Sequence, residues 1–386
     1  MIQLQNKVDC CGCGACMNIC PKACINMVRD SEGFEYPSVN EDTCVQCNLC
    51  DNVCPIKNKR NFGKEECGLI GFVSKIKDEN KRQKSTSGGF FRALAESVLK
   101  DGGIVYGVKW DRDYLPRHSC VESIGDLDAF CRSKYVQSST AQTFKDVKMY
   151  LNNRKIVLFS GTPCQVAGLK NYLGKEYDNL ICCDVVCRGT ISPALWKKQL
   201  AELENSFASS INYIGFREKL DGFHKTRLVI KMNNGKIYAP STDIEYISRF
   251  FSDGICLRPS CYECHFKGIE RASDFTMFDC WNITRLVPSA TDDDGGYTTI
   301  LVRSASGRKW LNRISDNIDC WQVDYEKAIE YDGIMVNNCV SIPQNRNAFF
   351  EDIHNLSMDS LGKKYSPISF KIMMKEYIKN IWRSLK

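Results

Sequence analysis

The chain has 386 residues, 52 Lys/Arg against 46 Asp/Glu for a formal charge of +6, and 23 cysteines, enough length for two further units beyond a short first one. No apolar run is long enough to span a bilayer and no apolar signal region follows Met1, so the cysteines indicate a reducing cytoplasm rather than a secreted disulfide scaffold. Neither a zinc-finger spacing, an RNA-binding signature nor an interleaved basic-aromatic patch marks a nucleic-acid partner.

Residues 1–60 carry two runs, Cys10-x2-Cys13-x2-Cys16-x3-Cys20-Pro21 and Cys44-x2-Cys47-x2-Cys50-x3-Cys54-Pro55. Cysteines at i, i+3 and i+6 cannot share one helix face, so the chain must wrap a compact ligand. The spacing is that by which bacterial ferredoxins hold two [4Fe-4S] clusters, the fourth cysteine of each run serving the other cluster. One cluster is expected on Cys10, Cys13, Cys16 and Cys54, the other on Cys44, Cys47, Cys50 and Cys20.

Asn58–Glu66 is a charged connector, and residues 67–190 then alternate strand and helix. Strands are expected at Leu69–Ile76, Ile104–Val108, Ile156–Phe159 and Leu180–Val186. Helices are expected at Phe90–Leu99, Ala141–Leu151, from Thr162 to about Tyr172, and after Ser192-Pro193. This reads as an α/β layer with a largely parallel sheet. Residues 191–350 shift to shorter strands, with Leu228–Met232 and Ile237–Ala239 flanking the hairpin turn Asn233-Asn234-Gly235. The whole is a mixed α/β, α+β chain with a ferredoxin-type first domain. Residues 351–386 form a tail whose last 24 residues, 363–386, hold seven Lys/Arg and one Glu. From Ser366-Pro367 onward its apolar residues recur every three to four positions, as in a helix packed on the body or lying on an anionic membrane surface.

Phe159-Ser160-Gly161-Thr162-Pro163-Cys164-Gln165 ends a strand and opens a helix, with Thr162 and Gln165 as a capping box and proline at the first helical position. Such an end can bind phosphate through its free N–H groups and lower the pKa of Cys164; an ordinary capped helix is the alternative. Ser87-Gly88-Gly89 either lets backbone approach a cofactor or simply turns. No G-x-G-x-x-G follows a strand, so a nicotinamide is not indicated. Cys256-x4-Cys261-x2-Cys264 lacks a fourth ligand, for which Cys187, at a strand end, is the first candidate, ahead of Cys183 and Cys280. A third [4Fe-4S] cluster, zinc and unliganded core cysteines all fit that pattern. Cys11, Cys24, Cys67, Cys120, Cys131, Cys320 and Cys339 read as small core or surface residues. His118, His224, His265 and His354 are scattered, which argues against hydrolytic chemistry. His265 reads as a surface neighbour of Cys264. Phe216-Arg217-Glu218-Lys219 and Phe223-His224-Lys225 set cations beside aromatics, fit for an anionic substrate or for a solvated turn.

Five stretches taken in order resemble the beta subunit of coenzyme F420-reducing hydrogenase and F420 dehydrogenase. They are Ser85–Phe90, Ser133–Ser138, Phe159–Val166, Arg258-Pro259-Ser260-Cys261-x2-Cys264, and Ser273-Asp274-x-Thr276-x2-Asp279-x-Trp281. The resemblance implies FAD in the α/β region, with Ser87, Gly88, Gly89, Lys134, Tyr135, Gln137, Ser138, Thr162, Pro163, Cys164 and Gln165 as flavin-pocket candidates. It implies an iron-sulfur cluster beside the flavin, on Cys187, Cys256, Cys261 and Cys264. Phe278 and Gly222-Phe223 stand where the family commonly has glycine and Gly-Trp. The expected function is an iron-sulfur flavoenzyme that moves electrons between a ferredoxin or other low-potential carrier, its clusters, FAD and an organic acceptor or donor. An electron-transfer subunit that completes a larger complex, or an F420-dependent oxidoreductase, is the alternative.

Overall fold

The structure, a computed structural model, describes residues 1–59, 68–369, 372 and 374; most of the charged connector, Cys67 and the expected tail helix lie outside the described residues. The first unit pairs β1 (Ile25–Arg29) with β2 (Glu35–Val39) in an antiparallel ribbon, Ile25 opposite Val39. Two short helices, α1 (Ala15–Ile19) and α2 (Leu49–Asn52), lie within the two cysteine runs.

The body is organised on an eight-stranded sheet. In chain order its strands are β3 (Ile70–Ile76), β4 (Ile104–Trp110), β5 (Pro116–Val121), β6 (Val157–Gly161) and β7 (Leu180–Val185). A separate three-stranded sheet follows, with β8 (Ile211–Glu218), β9 (Arg227–Met232) and β10 (Ile237–Tyr238). The large sheet is completed by β11 (Phe275–Cys280), β12 (Tyr297–Val302) and β13 (Ile318–Val323), in the spatial order β13-β3-β12-β11-β7-β6-β4-β5.

Only the centre, β4-β6-β7-β11, is parallel; the remaining ladders are antiparallel. The expected largely parallel sheet is thus a mixed one, because β3 pairs with β12 and β13 rather than with β4. The sheet draws strands from both sides of the expected boundary at residues 190 and 191.

The central strands are apolar on both faces, as strands covered twice must be. Val105, Leu158 and Ile181 face a core with Leu94 and Val98 of a helix at Phe90–Lys100. Their neighbours Tyr106, Phe159 and Cys182 face the opposite core with Phe144 and Val147 of a helix at Thr143–Asn152 and Val166 and Leu169 of one at Pro163–Leu173. A third core centres on Trp196, Ile230, Phe250 and Phe349 and takes in Phe34 of the first unit. Within the expected tail, a helix at Met358–Tyr365 buries Met358 and Leu361 in that core.

Candidate functional site

The cysteines fall into three groups. Cys16 is pushed up to about 12 by burial and by facing Cys10 and Cys54, and Cys13 faces Cys16 and Cys10. Residues of the first run thus meet the last cysteine of the second. Cys20, Cys44, Cys47 and Cys50 line a recess of about 350 Å³, where Cys47 is exposed. Ile2 N donates to Cys50 Sγ at 3.2 Å and Gly12 N to Cys10 Sγ at 3.4 Å, the kind of N–H···S contact that tunes a cluster. Among the described residues no three Cys, His, Asp or Glu close on a point as ligands of one ion would. A four-iron cube bonds each thiolate to a different iron, so its ligands stand farther apart than those of a single ion.

The third group lines a cavity of about 580 Å³, with Cys164, Cys187, Cys261 and Cys264 on its wall and Cys11 beside them. Burial raises the Cys261 thiol and the nearest thiol, Cys164, raises it further. The same two causes bring Cys264 to about 12. Cys187 is raised by burial, then by Cys261, Cys164 and Cys264. Left alone these thiols stay protonated at neutral pH, and a positive centre would draw them into the thiolate form.

Cys256 does not join them. It is fully buried between Ile255 and Leu257 in the apolar core, where its charged neighbours are Arg346, Asp253 and Glu245. Its main-chain oxygen is tied to Ser192 N at 3.0 Å, and the chain reaches the cavity wall only from Arg258 onward. Cys183 and Cys280 likewise lie in separate cores. Cys164 stands where Cys256 was expected. Residues that read as unremarkable also adjoin the groups: Cys11 faces Cys13 and Cys164, Cys24 Sγ is 3.3 Å from Cys20 Sγ, and Cys339 Sγ accepts from Cys264 N at 3.3 Å. The adjacent pair Cys10-Cys11, unmatched by Cys44-Val45 in the second run, is a signal of that asymmetry in the sequence. His265 is exposed at the cavity rim.

The flavin candidates are divided between two places. Gln165 Oε1 accepts from Thr162 N at 3.0 Å, closing the helix start on itself rather than leaving it free for phosphate. Gln165 Nε2 donates to Ser138 Oγ at 2.9 Å, and Ser138 lies 3.4 Å from His118 Nδ1. Because Ser160 O, 3.2 Å from His118 Nε2, can only accept, the proton sits on Nε2 and Ser138 donates to Nδ1. Gln137 donates to Cys11 O and accepts from Arg258, while Pro163 and Cys164 line the cysteine cavity.

The other place holds Ser87, Gly88, Gly89, Lys134 and Tyr135. Gly88 has no room for a Cβ against Ser74 O and Thr298 N, so its smallness serves strand packing. Ser87 O accepts from Lys219 Nζ at 2.8 Å, as do Arg82 O and Gly295 O. Lys219 is buried, with no carboxylate paired to it among the described residues, and burial, then Arg82, lowers it to about 7. Lys134, lowered to about 8 by burial, donates to the main-chain oxygens of Cys131 and Arg132 and lies over the Trp110 ring at 5.9 Å. A bulge between Gly215 and Glu218 puts Arg217 at φ 57°, against Asp279 and the Tyr135 hydroxyl, with its Nη2 buried and not hydrogen-bonded. Trp281 stacks on Phe223 at 4.2 Å beneath this guanidinium.

The remaining motif, from Ser273, is a clamp. Buried Asp184 accepts from Arg271 at 3.0 Å and from Ser273 and Thr276 at 2.7 Å each, and Asp274 accepts from Cys182 N at 2.7 Å. β7 is thereby locked to β11 beside the cavity that Arg271 edges.

Residues 154–327 match the family described as the C terminus of the coenzyme F420 hydrogenase/dehydrogenase beta subunit, and residues 9–58 match the 4Fe-4S dicluster domain. No curated protein matches the chain in sequence. Among solved structures, a chain of the F420-reducing [NiFe] hydrogenase complex from Methanosarcina barkeri is similar at 14% identity and a TM-score of 0.44, over 76% of this chain and 90% of that one.

Proposed function

We infer the function from the family whose model residues 154–327 match, the coenzyme F420 hydrogenase/dehydrogenase beta subunits, here in a form with an amino-terminal 4Fe-4S dicluster domain. It is an iron-sulfur oxidoreductase component, and no helix among the described residues is long and apolar enough to cross a membrane. Our finer reading is an iron-sulfur flavoenzyme moving electrons between a ferredoxin-type carrier and an organic substrate through FAD. When bound, the clusters would carry single electrons and the flavin pairs of them.

The observation that carries this reading is the order of the thiol groups. Cys20, Cys44, Cys47 and Cys50 line one recess, at which Cys47 is exposed; Cys10, Cys13, Cys16 and Cys54 face one another on the side of the body. Cys11 and Cys13 then adjoin the helix that bears Cys164, close enough that a Cβ on Gly168 would stand 2.9 Å from Cys13 Sγ. Cys164, Cys187, Cys261 and Cys264 would hold the third cluster beyond the carboxy-terminal ends of the central strands β6 and β7.

For FAD, the buried unbonded Nη2 of Arg217 and lysines 134 and 219, with no carboxylate paired to them among the described residues, favour an anionic group beside Ser87 and Tyr135. The unbonded Nη2 of Arg217 would be the donor to its phosphates, and the two lysines would add positive charge around them. Residues 1–60 would then be the carrier-facing domain, 67–190 and 191–350 the flavin and third-cluster regions, and 351–386 a basic tail.

The test is anaerobic purification with iron, acid-labile sulfide, zinc and released flavin counted per chain. About twelve iron and one FAD are expected. About eight iron, or no flavin after reconstitution, would remove the enzyme reading. Turnover of reduced ferredoxin with a small acceptor only after a partner subunit is added would make the chain the electron-transfer subunit of a complex.

A further inference from the structure

Arg258 is 1% exposed, and among the described residues no carboxylate pairs with it. Its three donor positions end on neutral oxygens: Nε on Cys10 O at 2.8 Å, Nη1 on Gln137 Oε1 at 2.7 Å and Nη2 on Glu35 O at 3.0 Å. The rings of Tyr36 and Phe34 lie 4.2 and 5.5 Å from it. A guanidinium withdrawn from water in this way costs several kcal/mol unless an opposite charge lies near. The groups able to supply that charge are thiols. Cys10 and Cys11 of the first unit lie on one side and Cys261 on the other, and Arg258 itself lines the cavity shared by Cys164, Cys187, Cys261 and Cys264. Cysteines become anions when they ligate metal. The strongest charged neighbours of this guanidinium include no member of the outer group, Cys20, Cys44, Cys47 and Cys50.

We propose that Arg258 is the shared counter-charge of the two inner cluster sites and raises the reduction potential of both relative to the outer one. The proposal rests on the three-cluster reading above. Reduction at either site adds one electron from the external carrier and neither forms nor breaks a bond, so the added negative charge is what the fixed cation stabilises. The forked donors hold that cation midway by gripping the main chain of the first unit while Arg258 itself belongs to the body. Arg258 thereby acts on the relay through position and charge.

The experiment is an anaerobic redox titration of the holoprotein followed by EPR, with the outer signal identified by its loss in Cys47→Ser. In Arg258→Met the oxidised-to-reduced ratio at a fixed potential should rise at least tenfold at both inner sites, 59 mV for a one-electron couple. The outer signal should stay in place. Arg258→Lys, which keeps the charge and loses the fork, should restore both inner potentials to within threefold of the wild-type ratio. No inner shift, an equal shift at all three sites, or a lysine variant that behaves like methionine would overturn the proposal. If Arg258→Met fails to load iron, the lysine variant decides alone: wild-type potentials support the counter-charge, and a tenfold shift rejects it. Iron analysis separates the two ideas, since eight iron per chain removes the third site and leaves the Cys10 group to show the shift or refute it.

Discussion

Whether a cysteine can serve as a ligand here depends on how one strand end or helix start turns it. Cys164 leaves a capped helix start toward Cys187, Cys261 and Cys264, whereas Cys256 turns into the apolar core. Cys164→Ser should therefore lower iron by about four per chain while Cys256→Ala leaves it unchanged; iron lost from the second variant and retained in the first would reverse the assignment. His118 gives a prediction of another kind. Burial, opposed by its bonds to Ser160 and Ser139, lowers it to about 4. The unfolded chain takes up this proton below about 6.5, and the folded one resists until about 4. Stability is thus full above 6.5 and falls as pH drops through the window. Between pH 7 and 5 the wild type should lose about 2 kcal/mol more than His118→Phe, read from urea unfolding at the two pH values. Equal losses would show that the imidazole is not held neutral.

At the level of elements, the corner between β6 and the helix at Pro163–Leu173 could be read from the sequence because everything that shapes it is local: an apolar run, a capping box and a proline. The bonds from Thr162 through Gln165, Ser138 and His118 to Ser160 fix that corner. The central strands were legible for the same reason, as short apolar runs between turns. β11, β12 and β13 were not, since what makes them strands is pairing with β7 and β3, some 100 to 250 residues away. The turn at Ser87-Gly88-Gly89, which the resemblance places beside a flavin, also has a packing role. Gly88 N donates to Thr298 Oγ1 at 2.9 Å, and the residue is pressed between β3 and β12. Gly88→Ala should cost about 1–3 kcal/mol, seen as a lower urea midpoint with an unchanged slope; an unshifted midpoint would return the glycine to a role in cofactor approach.

For the whole molecule, the two cysteine runs announced a first unit but not how it is fixed to the body, because its anchors come from residues far along the chain. Arg346 reaches Glu32 with both nitrogens, at 2.9 and 2.5 Å, and also bonds Leu257 O and the Tyr262 hydroxyl. Ser192 Oγ donates to Glu32 O at 2.5 Å, and Thr140 Oγ1 to Cys13 O at 2.9 Å. The Arg346 side chain is 8% exposed and the Glu32 side chain 12%, so removing one partner strands a largely desolvated charge. A fully buried pair broken this way costs about 3–5 kcal/mol, and residual solvent at Glu32 brings Arg346→Met to about 2–3. The loss should be local. Hydrogen exchange should quicken at residues 25–39 of the hairpin, which hang on Glu32, and remain slow at 157–161 and 180–185, which the sheet protects from both faces. If the pair serves only the core around Tyr262, exchange would instead quicken around 247–262 with the hairpin unchanged. The first outcome makes docking of the cysteine unit a separable energetic step, one that sets the spacing between its inner thiols and those beyond the ends of β6 and β7.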